Sequence, residues 1–292
     1  MKNISKLVSV ILTLTMIFAL AGCGAKEEKT GATDTKMDDT QTEASDILIG
    51  DITVSGSTSV EKIGVASGDE FMALNPGATF TYEGIGSSGG VKNANEKVTN
   101  IGAASRNLQE SEKAYGLTEV IIAYDGIAVI VHPSNEVQNL TLPEVQAIYK
   151  GEITNWNEVG GADQEISLVS REDGSGTRGA FEELVGFEDV LSATALLKDG
   201  NGNVQTTIAA NPNAIGYVSF TYLDESIKGV QIDGTEPTVE NVLNESYPIS
   251  RPFLMMYHED NMNNVAKAYI EFLLSNEGQD IVEANGGIRV NW

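Results

Sequence analysis

The sequence predicts an α/β fold with largely parallel sheets. Two observations carry that expectation. Short apolar runs of strand length alternate with helical stretches, and three of the strand-to-helix turns are dense in glycine and hydroxyl side chains. The chain has 292 residues, 41% of them hydrophobic, enough for two ordinary domains with cores of their own.

Taken in order, the first segment is an export signal rather than fold. Lys2 and Lys6 precede an apolar run over 7–20 that is too short for a comfortable membrane span. The following Leu20-Ala21-Gly22-Cys23 resembles a bacterial lipobox, which implies cleavage before Cys23 and lipid on its thiol; a plain secretory signal is the alternative. Cys23 is the single cysteine, so disulfides within the chain are excluded. Residues 25–46 are polar and free of aromatics, as expected of a disordered tether with a reach of about 25 Å.

From residue 47 the pattern alternates. Apolar runs at 52–54, 79–82, 120–123, 127–131, 166–169 and 215–218 predict strands. Helical stretches are expected over 60–74, 142–149, 180–184, 204–210 and 265–274, with a more polar helix from Val91 onward. Three turns lead from strand to helix: Ser55-Gly56-Ser57-Thr58-Ser59, Gly84-Ile85-Gly86-Ser87-Ser88-Gly89-Gly90, and Asp173-Gly174-Ser175-Gly176-Thr177. Glycines let the backbone turn sharply and hydroxyls cap the new helix. A helix start exposes unpaired N–H groups and about half a positive charge, which suits an anion. In open α/β sheets ligands sit at this position, beyond the carboxyl ends of the strands. Three such turns point to a small oxyanion held without a metal.

Charge narrows the field. Against 18 Lys and Arg stand 42 Asp and Glu, a net charge of −24. Nucleic acid is thereby opposed, since its binding depends on basic side chains neutralising phosphates. Any anion must be held by local donors against the overall field.

Rival readings of the motifs fare less well. The 84–89 turn matches G-x-G-x-x-G, but the helix after it is too polar for a buried dinucleotide-binding unit, and the expected ribose-binding acid falls near Arg106 and Asn107. The 86–90 turn matches G-x-S-x-G with Ser88 as nucleophile, for which His258 is the histidine in the right order. With one cysteine and two separated histidines, no zinc-type cluster is spelled out, and no cofactor or metal is expected. Met255-Met256-Tyr257 and the tyrosines of 217–222 are expected to pack in a core or interface, and Trp156 to anchor a loop.

The segments 84–92 (GIGSSGGVK), 171–178 (REDGSGTR) and 55–60 (SGSTSV) together resemble the phosphate-binding proteins of the high-affinity phosphate ABC transporter, the PstS family. Further matches at 142–161, 211–218 and 272–282 extend the resemblance over essentially the whole folded part. It implies a two-lobed type II periplasmic-binding-protein fold with crossover hinge strands. Lobe I would hold 47–123 plus 253–292, and lobe II 124–252. Residues 1–22 would be the signal peptide, and 23–46 the lipidated cysteine and tether. The implied function is non-enzymatic: capture of phosphate at the extracytoplasmic face of the cell membrane, and delivery to the permease and ATPase subunits of the transporter. A sulfate receptor, a sensor or adhesin on the same fold, and an exported serine hydrolase stay open as alternatives.

Position by position, the resemblance implies donors at Thr58, Ser59 and Ser87, paired bonds from Arg171, and a wrap by Ser175, Gly176 and Thr177. Asp173 is expected to orient Arg171. One departure stands out. The family pattern Gly-Ala-Ser-Asp supplies a carboxylate that accepts the proton of hydrogen phosphate, whereas here the segment reads Gly102-Ala103-Ala104-Ser105-Arg106. Ser105 then stands as a neutral partner, Arg106 as added positive charge, and Asp125 either as the replacement acceptor or as a turn residue before Gly126.

Overall fold

A computed structural model of the chain describes residues 48–290. The expectations for the signal, Cys23 and the tether lie outside the described residues. The chain opens with β1 (Gly50–Gly56), α1 (Glu61–Leu74), β2 (Ala78–Gly84), α2 (Ser87–Asn95), β3 (Ile101–Ala104) and α3 (Glu110–Lys113). The 14-residue β4 (Thr118–Val131) follows, then β5 (Asn139–Leu140), α4 (Leu142–Lys150), β6 (Ser167–Arg171), α5 (Gly176–Val185), β7 (Leu196–Lys198) and α6 (Gly200–Ala210). The last part contains β8 (Ala214–Ser219), β9 (Lys228–Gly229), β10 (Gln231–Ile232), α7 (Val239–Leu243), β11 (Ser250–Tyr257), α8 (Asn264–Leu274) and α9 (Asn276–Ala284).

One sheet runs in the order β2-β1-β3-β11-β4-β8-β6-β7, with β9 also on β4, and β5 pairs β10 separately. Each end is parallel, β1 with β2 and β3, β6 with β7 and β8. The middle is antiparallel, because β11 pairs β3 and β4, and β4 pairs β8. The sheet is therefore mixed rather than largely parallel. The antiparallel strands are those on which the chain passes from one half to the other and back.

β4 is also one strand where two were expected. Asp125 does not turn the chain; it sits opposite Arg251 in the β4–β11 register. Gly126 next to it leaves space for the Phe220 ring, whose Cζ lies 2.2 Å from where a Cβ would be. The register slips between Phe253 and Leu254, leaving Ile122 as an extra residue.

Two main cores flank the crossing. One gathers Ile52, Val54, Ile63, Phe71, Ile101, Ala123, Phe253, Met255, Tyr269 and Leu273. The other gathers Ile127–Val131 with Tyr149, Trp156, Phe181, Val204, Tyr217 and Tyr247. Phe181 stacks on Tyr217 at 4.0 Å between ring centres, and Tyr149 meets both rings. Trp156 is buried at the start of a 3₁₀ turn, its indole N–H bonded to the Asn213 carbonyl at 2.9 Å, so it anchors that loop. Met255 and Met256 are core residues.

Candidate functional site

Four strand ends deliver the hydroxyl cluster to one place. At the first, Gly56 adopts φ +146°, and a Cβ there would stand 2.0 Å from the Ala103 carbonyl oxygen. Only glycine allows β1 to run that close to β3 before Ser57, Thr58 and Ser59 lead into α1. At the second, Gly86 (φ +85°) turns β2 into α2, and the amides of Ile85 and Gly86 both donate to the Gly56 carbonyl at 2.9 Å. Ser87 is thus the first residue of α2 rather than part of a turn before it. β3 ends directly in Ser105. At the fourth, Gly174 (φ +83°) turns the chain from β6 into α5, which Ser175 caps by accepting from the Arg178 amide at 3.2 Å. Gly176 and Thr177 form the first turn of that helix, so α5 begins four residues before the expected 180–184 stretch.

These ends meet. The hydroxyls of Ser59 and Thr177 lie 2.9 Å apart. The Ser87 hydroxyl accepts from the Ser105 amide at 3.1 Å, and Ser57 donates to the Ser105 hydroxyl at 2.8 Å. The Ser88 amide donates to the Gly174 carbonyl at 3.1 Å. A Cβ on Gly176 would fall 2.0 Å from Ser87 Oγ and 2.9 Å from Ser105 Oγ, so the starts of α5 and α2 approach as closely as backbone permits. Ser59, Ser87, Ser105, Ser175 and Thr177 are all buried.

Arg171 is the last residue of β6 and 1% exposed. Its Nε and Nη2 grip Glu172 at 2.7 and 2.8 Å, and Nη2 also donates to Thr58 Oγ1 at 3.3 Å. Its Nη1 is buried and has no hydrogen-bond partner among the described residues. Asp173 does not orient this guanidinium: the Gly174 turn sends it outward, where it accepts from Arg178 at 2.6 Å. Glu172 performs that role instead.

Arg106 and Asp125 are the other departures. The Arg106 guanidinium is held by both oxygens of Glu112 at 2.7 and 2.8 Å, and the hydroxyl it reaches is that of Ser88, at 3.1 Å. It adds no free charge to the cluster. Asp125 is fully buried, its Oδ2 accepting from Arg251 at 3.1 and 2.8 Å, its Oδ1 from Ser219 at 2.9 Å and the Phe220 amide at 3.1 Å. Both oxygens are engaged within the protein, so the carboxylate anchors Arg251 rather than facing the cluster. Burial pushes its pKa up to about 6 against the opposing pull of Arg251. Burial likewise lowers that of Arg251, countered by Asp125.

Two further residues belong to the site. Arg251 on β11 donates through Nη2 to Ser59 Oγ at 3.1 Å and through Nη1 to the Ser105 carbonyl at 2.9 Å. Asn201, in the first turn of α6, donates to Thr58 Oγ1 at 3.2 Å and to Ser59 Oγ at 2.9 Å. Both left a signal in the sequence. Arg251 is a charge within an apolar strand, which is buried only when paired. Asn201 lies in Gly200-Asn201-Gly202, another glycine-rich segment where a strand gives way to a helix, here the first turn of α6 itself.

Chemically, the arrangement presents hydroxyls, helix-start amides and one free guanidinium edge to a common point, with each guanidinium balanced by a carboxylate. It suits an oxyanion. The Ser88 hydroxyl accepts from Arg106 Nη2 at 3.1 Å, and a guanidinium cannot take its proton. Among the described residues, no group of three His, Cys, Asp or Glu side chains is gathered that could hold a metal ion.

Comparison with known proteins agrees with this geometry. A family profile described as a PBP superfamily domain matches residues 30–277. The phosphate-binding protein PstS of Bacillus subtilis is 31% identical over 287 residues, covering 97% of this chain and 93% of the relative. Among solved structures, a candidate phosphate ABC transporter substrate-binding protein with bound phosphate from Clostridium perfringens is 50% identical, with a TM-score of 0.82 over 83% of this chain and 100% of that one. An ABC-type phosphate transport receptor from Vibrio cholerae is 37% identical, with a TM-score of 0.70 over 81% of this chain and 99% of the other.

Proposed function

The chain belongs to the PstS family of phosphate-binding proteins, and from that premise we propose that it is a lipid-anchored extracytoplasmic receptor that captures inorganic phosphate and hands it to an ABC permease. The observation that carries the reading is the buried Nη1 of Arg171, left without a partner on the same guanidinium whose Nη2 reaches Thr58. An unsatisfied buried charged donor costs several kcal/mol unless something accepts from it. A phosphate oxygen is the acceptor that this donor and the neighbouring hydroxyls of Thr58, Ser87 and Thr177 suit together. Ser59, Ser105 and the capping Ser175 support the ring, and Gly176 gives the ligand access to helix amides.

The resemblance of residues 20–23 to a lipobox supports anchoring through Cys23 at the outer face of the cell membrane. Delivery to permease and ATPase subunits follows from the family's place in transport. In this reading the protein catalyses no reaction. Isothermal titration of exhaustively dialysed protein with phosphate tests the core of it: saturable one-to-one binding is expected, and an absence of binding would end the proposal. Intact-mass analysis of membrane-extracted protein, with Cys23→Ser as control, tests the anchor, and an unacylated mature N-terminus would remove it.

A further inference from the structure

The polarity of the hydroxyls around Arg171 follows from counting donors. A hydroxyl oxygen has two lone pairs and one hydrogen, whereas an amide nitrogen or a guanidinium only donates. Asn201 is completely buried, and its Oδ1 accepts from the Ser219 amide at 3.2 Å, which fixes the orientation of the side-chain amide and turns Nδ2 toward the hydroxyls. Thr58 Oγ1 then accepts from both Asn201 and Arg171. Ser59 Oγ accepts from both Asn201 and Arg251. With both lone pairs taken, each of these hydroxyls has only its hydrogen to offer. Ser59 gives its own to Thr177 at 2.9 Å, which turns the Thr177 hydrogen outward in its turn. Thr58 and Arg171 Nη1 are thus fixed donors, while Thr177, which accepts once, keeps a lone pair beside its hydrogen.

The other half is different. Ser105 Oγ accepts from Ser57, and Ser87 Oγ accepts from the Ser105 amide. The two hydroxyls lie 3.5 Å apart with either able to donate to the other, so the pair keeps a lone pair and a rotatable hydrogen, and both hydrogens once that long contact is given up. The nearby carboxylates are spoken for: Asp125 by Arg251, Ser219 and Phe220, and Glu172 by Arg171.

We infer that Asn201 is a positioning residue that locks Thr58 and Ser59 as donors, that Ser87 and Ser105 take the hydrogen of a protonated oxyanion, and that the site therefore accepts tetrahedral dianions as a class. The inference rests on the phosphate-receptor reading and refines its substrate. Hydrogen phosphate would place its O–H against Ser87 and Ser105. For sulfate, which has no hydrogen, the same two hydroxyls rotate and donate. Neither ion leaves a buried group unpaired, so the large penalty that separates ligands differing by one hydrogen does not arise.

The test is competitive titration of the full chain with phosphate and sulfate near neutral pH, on the wild type, Ser105→Ala and Asn201→Ala. Wild type is expected to prefer phosphate by less than about 100-fold, since a site that strands a buried group discriminates by about 10⁴-fold or more. Ser105→Ala should weaken both ions about tenfold and leave their ratio little changed, because it removes a hydroxyl that accepts from hydrogen phosphate and donates to sulfate. Asn201→Ala frees lone pairs on Thr58 and Ser59 and should weaken sulfate more than phosphate, a change of ratio that mere loosening of the loop would not produce. A wild-type preference above about 100-fold, a Ser105→Ala variant that loses one ion far more than the other, or an Asn201→Ala variant that loses both equally overturns the inference while leaving the receptor reading intact. Failure to bind phosphate at all removes the receptor reading instead. The wild-type ratio decides even if a variant does not fold.

Discussion

Arg171 combines two jobs that a lysine could not: its Nε and Nη2 edge is occupied by Glu172, while Nη1 stays free. The planar fork makes this division possible, because one edge can be locked while the other is presented. Arg171→Ala removes the charge-assisted donor and also leaves the Glu172 carboxylate unpaired beside the anion. We expect phosphate affinity to fall by at least ~2 kcal/mol, about 30-fold, in a calorimetric titration. An unchanged affinity would take Arg171 out of the site. Asp125 makes a different prediction, in stability. Its pKa is raised by burial from 3.8 to about 6, so its protonated form is the one the fold favours. The stabilisation is complete below the unfolded value and is lost as pH rises from about 4 to about 6, by ~3 kcal/mol at 1.36 kcal/mol per pKa unit. Asp125→Asn removes that slope. Urea unfolding should therefore find the wild type better placed relative to the variant at pH 4 than at pH 7. The opposite trend would mean that the ion pair with Arg251 outweighs its burial.

At the scale of elements, the site depends on how closely two helix starts approach. A methyl on Gly176 would press on Ser87 and Ser105 across the gap between α5 and α2, which belong to different halves of the molecule. Gly176→Ala should weaken phosphate at least about tenfold while the melting temperature stays within about 2 °C, because the clash is relieved if the helices separate. Gly56→Ala meets backbone within one half, at the Ala103 carbonyl and with φ +146°. It should lower the melting temperature itself by several degrees, about 1–3 kcal/mol of strain. Equal effects of the two substitutions on melting would contradict this separation. These glycines also show what was legible in the sequence. Each predicted turn does connect strand to helix, and the hydroxyls of all three converge, because glycine and serine leave a strong local signature. Local pattern could not reveal which carboxylate holds which arginine. Glu172 and Asp173 are adjacent, and only the φ +83° turn at Gly174 decides that the first grips Arg171 while the second faces Arg178. Asp125-Gly126 has the composition of a turn, yet its pairing with Arg251, 126 residues away, keeps it in a strand. Arg251 and Asn201 went unread for the same reason: their partners come from other elements.

At the scale of the whole molecule, an anion has to approach a chain of net charge −24. Long-range repulsion and short-range attraction act over different distances, and salt separates them. The Debye length falls from about 30 Å in 0.01 M salt to about 8 Å at 0.15 M. Repulsion from carboxylates spread over the surface is thus largely screened, while the buried contacts of Arg171 and the hydroxyls, out of reach of counterions, keep their strength. Phosphate association should therefore speed up as sodium chloride is raised over this range, whereas dissociation, which breaks only the buried contacts, should change little. This is the reverse of the usual behaviour of an anion meeting a basic cleft. Stopped-flow fluorescence with an environment-sensitive dye at the cleft rim measures both rates, with potassium fluoride replacing the chloride to separate screening from competition by the anion. An association rate that falls with either salt would show that the phosphate is drawn in by a local positive field strong enough to mask the surface charge, and the capture would then not rest on contacts made at the end of the approach.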